Sequence, residues 1–171
     1  KYGQIKRMAL NNLDSLKHNR PQKCMRLASG DEISSVAILT GNSDLLVITS
    51  GGNCSYFNEN ELNPLGPKAS GVKAISQLGK QTAESLLAFD EEERSKIVLV
   101  TDKGCIRIFH NEKVYRTNRL GKVQQAFQSF KSDVHKLVYA FKIAPREEVI
   151  NLSLTLDDNS LIQISHSDLY M

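Results

Sequence analysis

A glycine turn between two strand-forming runs recurs about every fifty residues, and this limits the possible folds more than any single motif. "KYGQIKRM" places the turn at Gly3, "TSGGNCSYF" at Gly52 and "TDKGCIRIF" at Gly104. A weaker fourth copy, "TLDDNSLIQI", puts Ser160 in the glycine's place. The spacings are 49, 52 and 56 residues. A second anchor moves in step: "GDEISSVAIL" from Gly30, "GKQTAESLLAF" from Gly79 and "KSDVHKLVYAF" from Lys131 each begin 27 residues after their glycine. Equal internal offsets mark true repetition, and a period of this length belongs to repeat architectures.

Each unit reads as strand, glycine turn, strand, long basic loop, strand, turn, strand. "LLVIT", "KIVLVT", "SSVAIL", "SLLAF" and "KLVYAF" are short and rich in Val, Ile, Leu and aromatics, as buried strands are. The loops close with short stretches that alternate apolar and polar: "KCMRL", "GVKAISQL" and "KVQQAFQSF". Helical periodicity is weak, although Leu10–His18 has the pattern for a turn or two. The prediction is an all-β chain of four-stranded, propeller-type units over about 1–40, 45–90, 96–143 and 149–171. Three full units and a partial one do not close a ring. The chain also opens inside a hairpin at Lys1, so a partial set of blades from a longer protein is expected.

Composition narrows the function classes. No apolar run approaches the roughly 20 residues of a membrane span, and no signal-peptide pattern is present. Cys24, Cys54 and Cys105 form no C-x-x-C pair and are expected to be reduced thiols. His18, His110, His135 and His166 lack metal-site spacing, so no metal is expected. "SGGN" at Ser50–Asn53 is a hairpin turn, not a phosphate loop, because it lacks the Lys-Ser/Thr element. No G-x-S-x-G is present, and the clustering in "SHSDLY" carries no weight, because triads assemble in space. The aromatics fall on strand positions and form no stacking platform for single strands. The net charge of +3 is unevenly spread. Residues 1–30 hold seven bases against one acid, 31–95 four against ten, and 96–171 eleven against eight. Segregated positive charge points to a polyanion partner.

Four apolar residues, then T-x-x-G-x-(I/V)-(K/R), a polar loop, "GVKAISQL" and "GDEI" followed by apolar residues: across the whole chain this series resembles the C-terminal repeats of the A subunits of bacterial type IIA topoisomerases, DNA gyrase and DNA topoisomerase IV. The resemblance implies a β-pinwheel, a propeller-like disc whose four-stranded blades exchange strands. It implies that the rim binds and bends duplex DNA without sequence specificity, in support of strand passage. The chain would not be an enzyme by itself, and it would hold no cofactor. The catalytic tyrosine, Mg2+ and ATP of the ATP-dependent enzyme belong to other parts of it. Implied partners are duplex DNA, the rest of the dimeric A subunit, and the ATPase B subunit, in the bacterial cytoplasm at the nucleoid. The gyrase box Gln-Arg-Arg-Gly-Gly-Lys-Gly is absent from "NRPQKCM", "LGPKASGV" and "NRLGKVQ". That absence favours topoisomerase IV, with the DNA-wrapping domain of gyrase as the alternative. A box in a blade upstream of Lys1 would reverse the order.

Rim binding requires cations spread along a curved edge, each neutralising a phosphate and releasing counterions. Bending 20–30 bp by 40–90° costs on the order of 1–6 kcal/mol, which several such contacts offset. The candidates are Lys6, Arg7 and Arg107 after the turn glycines, and Lys17, Arg20, Lys23, Lys68, Lys73, Lys113, Arg116, Arg119 and Lys122 in and around the loops. Strand alternation turns Ile106 and Ile108 toward the packing between blades and Arg107 the other way. "GNCSYF" has no cation there, which predicts a weak sector. The acidic run Asp90–Glu93 is expected in a solvated loop off the DNA path. A protein-interaction propeller without DNA binding is the competing class.

Overall fold

The computed structural model describes residues 1–14, 21–127, 133–143, 152–155 and 159–165. The strands among them are β1 (Gln4–Ile5), β2 (Asp44–Thr49), β3 (Asn53–Asn58), β4 (Val72–Lys73), β5 (Ala83–Phe89), β6 (Lys96–Thr101), β7 (Ile106–His110), β8 (Gln124–Gln125), β9 (Leu137–Ile143), β10 (Leu152–Thr155) and β11 (Leu161–Ile164). Short 3-10 turns follow β1, β3 and β7 at Leu10–Leu13, Glu59–Glu61 and Asn111–Lys113. Among the described residues there is no α-helix. Of the stretch Leu10–His18, only its first four residues form such a turn, and residues 15–18 lie outside the described set.

The T-x-x-G turn has one mechanism in two copies. Gly52 N–H donates to Thr49 O and Gly104 N–H to Thr101 O, both at 2.9 Å. The threonine hydroxyl then accepts the next amide, from Asn53 at 3.0 Å and from Cys105 at 3.2 Å. Both glycines are left-handed, at φ +83° and +71°. In the fourth copy the left-handed residue is Asn159, at φ +62°, and not Ser160. Leu161 pairs with Thr155, which centres the β10–β11 turn one residue earlier than the sequence pattern does. Asn tolerates this conformation because its short amide satisfies local backbone groups.

Strands are exchanged between units. In the four-stranded sheet, of order β5-β2-β3-β8, the edge strand β8 comes from the following unit. β4 pairs with β1 of the preceding unit in the same way, Gln4 opposite Lys73. The third sheet, β7-β6-β9, repeats the arrangement of β3, β2 and β5. The glycine carbonyl receives the exchanged chain each time: Gly3 O from Ala74 N–H at 2.9 Å and Gly52 O from Ala126 N–H at 2.8 Å.

Two sequence expectations need correction. The 27-residue offset does not hold in the third unit. Ala83 faces Thr49, but it is Leu137, two residues farther along, that faces Thr101. The connection from the exchanged strand into β9 is therefore two residues longer than the one into β5, and Lys131 is not the counterpart of Gly79. "SSVAIL", residues 34–39, forms no strand. β5 and β9 are held by β2 and β6, the strands before their turn glycines, and only Lys1 and Tyr2 stand before Gly3 in this chain. Val36 and Ile38 are left 83% exposed.

Sheets stack face to face, so the cores lie between units. Leu45, Val47 and Phe57 pack with Ile5 of the first unit and with Ala74, which follows the exchanged strand β4. The opposite face, with Leu46, Ile48, Tyr56 and Phe89, packs on Ile97, Leu99 and Val114 of the third. Val98 and Ile143 form a further apolar layer with Ile106, Ile108 and Phe141. Burial on both faces explains the uninterrupted apolar runs of β2 and β6. Each fully buried Leu, Ile or Phe contributes about 1.5–3 kcal/mol.

Two outcomes follow. Gly52→Ala would set a Cβ 2.6 Å from Phe127 O at a left-handed φ, so urea unfolding should show a loss of about 2 kcal/mol. Cys24 and Cys105 are exposed, whereas burial pushes the Cys54 thiol up to about 12. A thiol reagent at neutral pH should modify Cys24 and Cys105 in the folded chain and reach Cys54 only after unfolding.

Candidate nucleic-acid interface

The sheets fan apart. β5 and β9 lie close together, while β3 and β7, on the opposite side of β2 and β6, diverge. The exchanged strands β4 and β8 lie beyond β1 and β3, so their residues mark the open edge of the fan. Lys73 is exposed on β4. Arg107 is exposed on β7, opposite Leu99, with its guanidinium carbon 5.7 Å from the Phe109 ring centroid.

Alternation along β7 is present, but both faces pack between sheets. Ile106 and Ile108 join the layer around Val98, whereas Phe109, on Arg107's side, packs with Ile97 and Leu99. Arg107 reaches solvent because it stands on the diverging edge. Lys6, Ser55 and Arg107 each lie three residues after their turn glycine. Ser55 is buried, and its hydroxyl donates to Arg119 O at 3.1 Å. The cation missing from "GNCSYF" thus leaves a position that the next unit's loop covers.

The other candidates fall into distinct environments. Lys23, Lys68, Lys113 and Lys122 are exposed, and no ion pair engages them among the described residues. Arg116 is exposed, with Nη1 3.3 Å from Asp44 Oδ1. Arg119 is half-buried and donates to the backbone carbonyl of Lys73. Lys6 donates to Cys24 O at 2.5 Å, and burial lowers its pKa. Lys17 and Arg20 lie outside the described residues.

Arg7 is the most constrained. Its Nε lies 3.1 Å from Oε2 of Glu59, whose side chain is 1% exposed. Nη1 donates to the backbone oxygens of Glu59 and Leu62. Oε1 of Glu59 accepts the amides of Gly41 at 2.9 Å and Ser43 at 2.7 Å. This ion pair therefore clamps the first unit onto the second.

Arg26 was absent from the sequence candidates. It is exposed, its amide donates to Ala69 O at 3.1 Å, and Nε donates to Ser70 Oγ at 3.1 Å. This places a further cation beside the chain leading into β4. Its signal was the short alternating stretch "KCMRL", which reads as strand and so conceals the charge.

The acidic run occupies the β5–β6 connector, at the strand ends away from the glycine turns. Asp90 accepts Thr40 Oγ1 and Glu91 accepts Asn42 Nδ2, both at 2.9 Å. Burial alone would raise the Glu93 carboxyl. The hydrogen bonds from Lys142, Ser95 and the Asp90 amide outweigh it and hold the group below its usual range. Among the described residues, no three His, Cys, Asp or Glu gather to hold a metal ion.

The model of the family described as "DNA gyrase C-terminal domain, beta-propeller" matches residues 3–40 and 43–88. The chain is 32% identical over 122 residues to the A subunit of DNA gyrase from Staphylococcus epidermidis, covering 71% of this chain and 14% of that protein. It is 24% identical over 141 residues to the A subunit of DNA topoisomerase 4 from Bacillus subtilis, covering 82% and 17%. It thus spans about one seventh of the gyrase relative's length. A crystal structure of the C-terminal domain of DNA topoisomerase IV superposes with a TM-score of 0.84 at 18% identity, over 98% of this chain and 51% of that one.

The Arg7–Glu59 clamp generates a stability prediction. Glu59→Ala leaves the Arg7 Nε and two backbone amides without their carboxylate acceptor. Breaking such a pair should cost about 3 kcal/mol, read as a lower urea midpoint.

Proposed function

The chain belongs to the family of C-terminal domains found in the A subunits of DNA gyrase and topoisomerase IV, and from that premise we propose that it binds duplex DNA along the open edge of its sheet fan, without reading sequence, and bends it. The observation that carries this reading is the set of exposed cations Lys73, Lys122 and Arg107, on the exchanged strand β4, in the loop before the exchanged strand β8 and on the edge strand β7, which border three successive sheets. Such a surface suits closely spaced phosphates, and among the described residues it offers no α-helix to enter a groove. Lys23, Arg26, Lys68, Lys113, Arg116 and Arg119 extend the surface, with Lys17 and Arg20 as further members. Lys6 and Arg7 add positive potential from positions committed to the fold. The uneven cation row makes the second unit's edge the weaker sector.

In the whole enzyme this edge would steer which DNA crossings reach the strand-passage site. The rest of the dimeric A subunit, together with the ATPase B subunit, would be its partners in the bacterial cytoplasm. Mg2+ and ATP would act elsewhere. The repeat boundaries proposed are 1–40, 45–90, 96–143 and 149–171. The degenerate loops favour topoisomerase IV. The 32% identity to a gyrase relative favours the wrapping domain of gyrase as a second reading. Ligation of nicked circles on the protein separates these readings, because only chirally wrapped DNA retains a shift in linking number.

Titration of a labelled duplex of about 40 bp should show micromolar or weaker binding that falls steeply between about 50 and 200 mM salt. Lys73→Ala should reduce the salt slope by about 1 and leave thermal unfolding unchanged. No duplex binding at the low-salt end would overturn the reading.

A further inference from the structure

The loop that carries Arg116, Arg119 and Lys122 is pinned to earlier units at several points. Thr117 N–H donates to Tyr56 O at 2.8 Å, Ser55 Oγ to Arg119 O at 3.1 Å and Ser76 Oγ to Gly121 O at 3.3 Å. Asp44 pairs with the Arg116 side chain, and a second carboxylate takes hold of the loop's backbone. Oε2 of Glu61 accepts Arg119 N–H at 2.7 Å, and the Arg119 guanidinium turns onto the backbone of Lys73.

Among the described residues this clip belongs to one junction. The preceding loop repeats the frame, with Leu65 N–H on Arg7 O at 2.9 Å and a turn closed by Ala69 N–H on Gly66 O. The later loop closes its turn with Gly121 N–H on Asn118 O. Between the corresponding bonds, Pro67 stands where Arg119 stands. Proline has no N–H, so no carboxylate can hold that loop in this way. The amide at Arg119, the acceptor at Glu61 and the basic residues around them are found together at the second junction.

We propose that Glu61 is a positioning residue for the DNA-binding edge. It sets the loop so that Arg119 lies on Lys73 and Lys122 continues the same cationic patch. This proposal rests on the DNA-binding reading and adds an acidic residue that supports polyanion binding. Charge alone predicts the opposite, since removing an exposed carboxylate beside a phosphate site strengthens attraction.

Two substitutions separate these effects. Glu61→Ala and Glu61→Gln remove the same charge, but only Gln keeps an oxygen to accept Arg119 N–H. E61A should bind the duplex about fourfold more weakly, with a salt slope smaller by about 1, the scale of one lost phosphate contact. E61Q should bind at least as tightly as the wild type. Hydrogen exchange at the Arg119 amide should speed up in E61A and stay slow in E61Q. Equal tightening in both variants, while wild-type protein binds, overturns the positioning role alone. Unchanged Arg119 exchange in E61A also overturns it. Wild-type protein that binds no duplex overturns the functional reading and the proposal with it, and the exchange experiment then still reports whether the clip exists.

Discussion

The hydrogen bond that the Gly3 and Gly52 carbonyls each accept from the following unit is the contact on which the rest of the structure depends. Gly3 receives Ala74 and Gly52 receives Ala126. Each bond brings a short strand against an edge that would otherwise present unpaired backbone groups. It also fixes where the following unit's loop runs. Two further bonds in the same direction, Lys1 O from Ala83 N–H and Ser50 O from Leu137 N–H, tie the following unit's long strand to the same turn at 2.8 Å. The turn is therefore a junction between units as much as a hairpin, and the sheets that hold β1 and β2–β3 each contain chain from two units.

The placement of charge follows from this interlocking. Because the cores lie between sheets, apolar residues are used on both faces of β2 and β6. Ionic side chains are left to the edges, the loops and the few buried positions with full partners. Arg7 and Glu59 are such a pair, and they hold adjacent units in register. At the diverging edge the units differ. The same position carries Arg107 in one and a covered Ser55 in another. A repeated backbone thus supports a surface that is not uniformly charged.

Much of this was legible from the residues. The period, the turn glycines at 52 and 104, the strands around them and the all-β architecture follow from local chemistry repeated at regular intervals. The segment 34–39 reads as a strand because its composition suits one, yet composition does not supply the partner. Arg7 reads as a rim cation because nothing local reveals a carboxylate 52 residues away. Arg26 was hidden in a stretch that alternates like a strand. The shift from Ser160 to Asn159 depends on which residues pair across β10 and β11.

The sequence alone determined that this chain is a series of similar β units with a segregated positive charge. Those properties are set by side-chain volume, backbone freedom at glycine and simple charge counting, all of which are local. Tertiary structure decided which cations reach solvent, which strands find partners and which carboxylates organise the basic loops. These outcomes depend on contacts between residues far apart in the chain, formed when the second and third units each lend a strand to the one before. The strength of a charge or a hydrogen bond depends on that surrounding structure, which residue type does not encode.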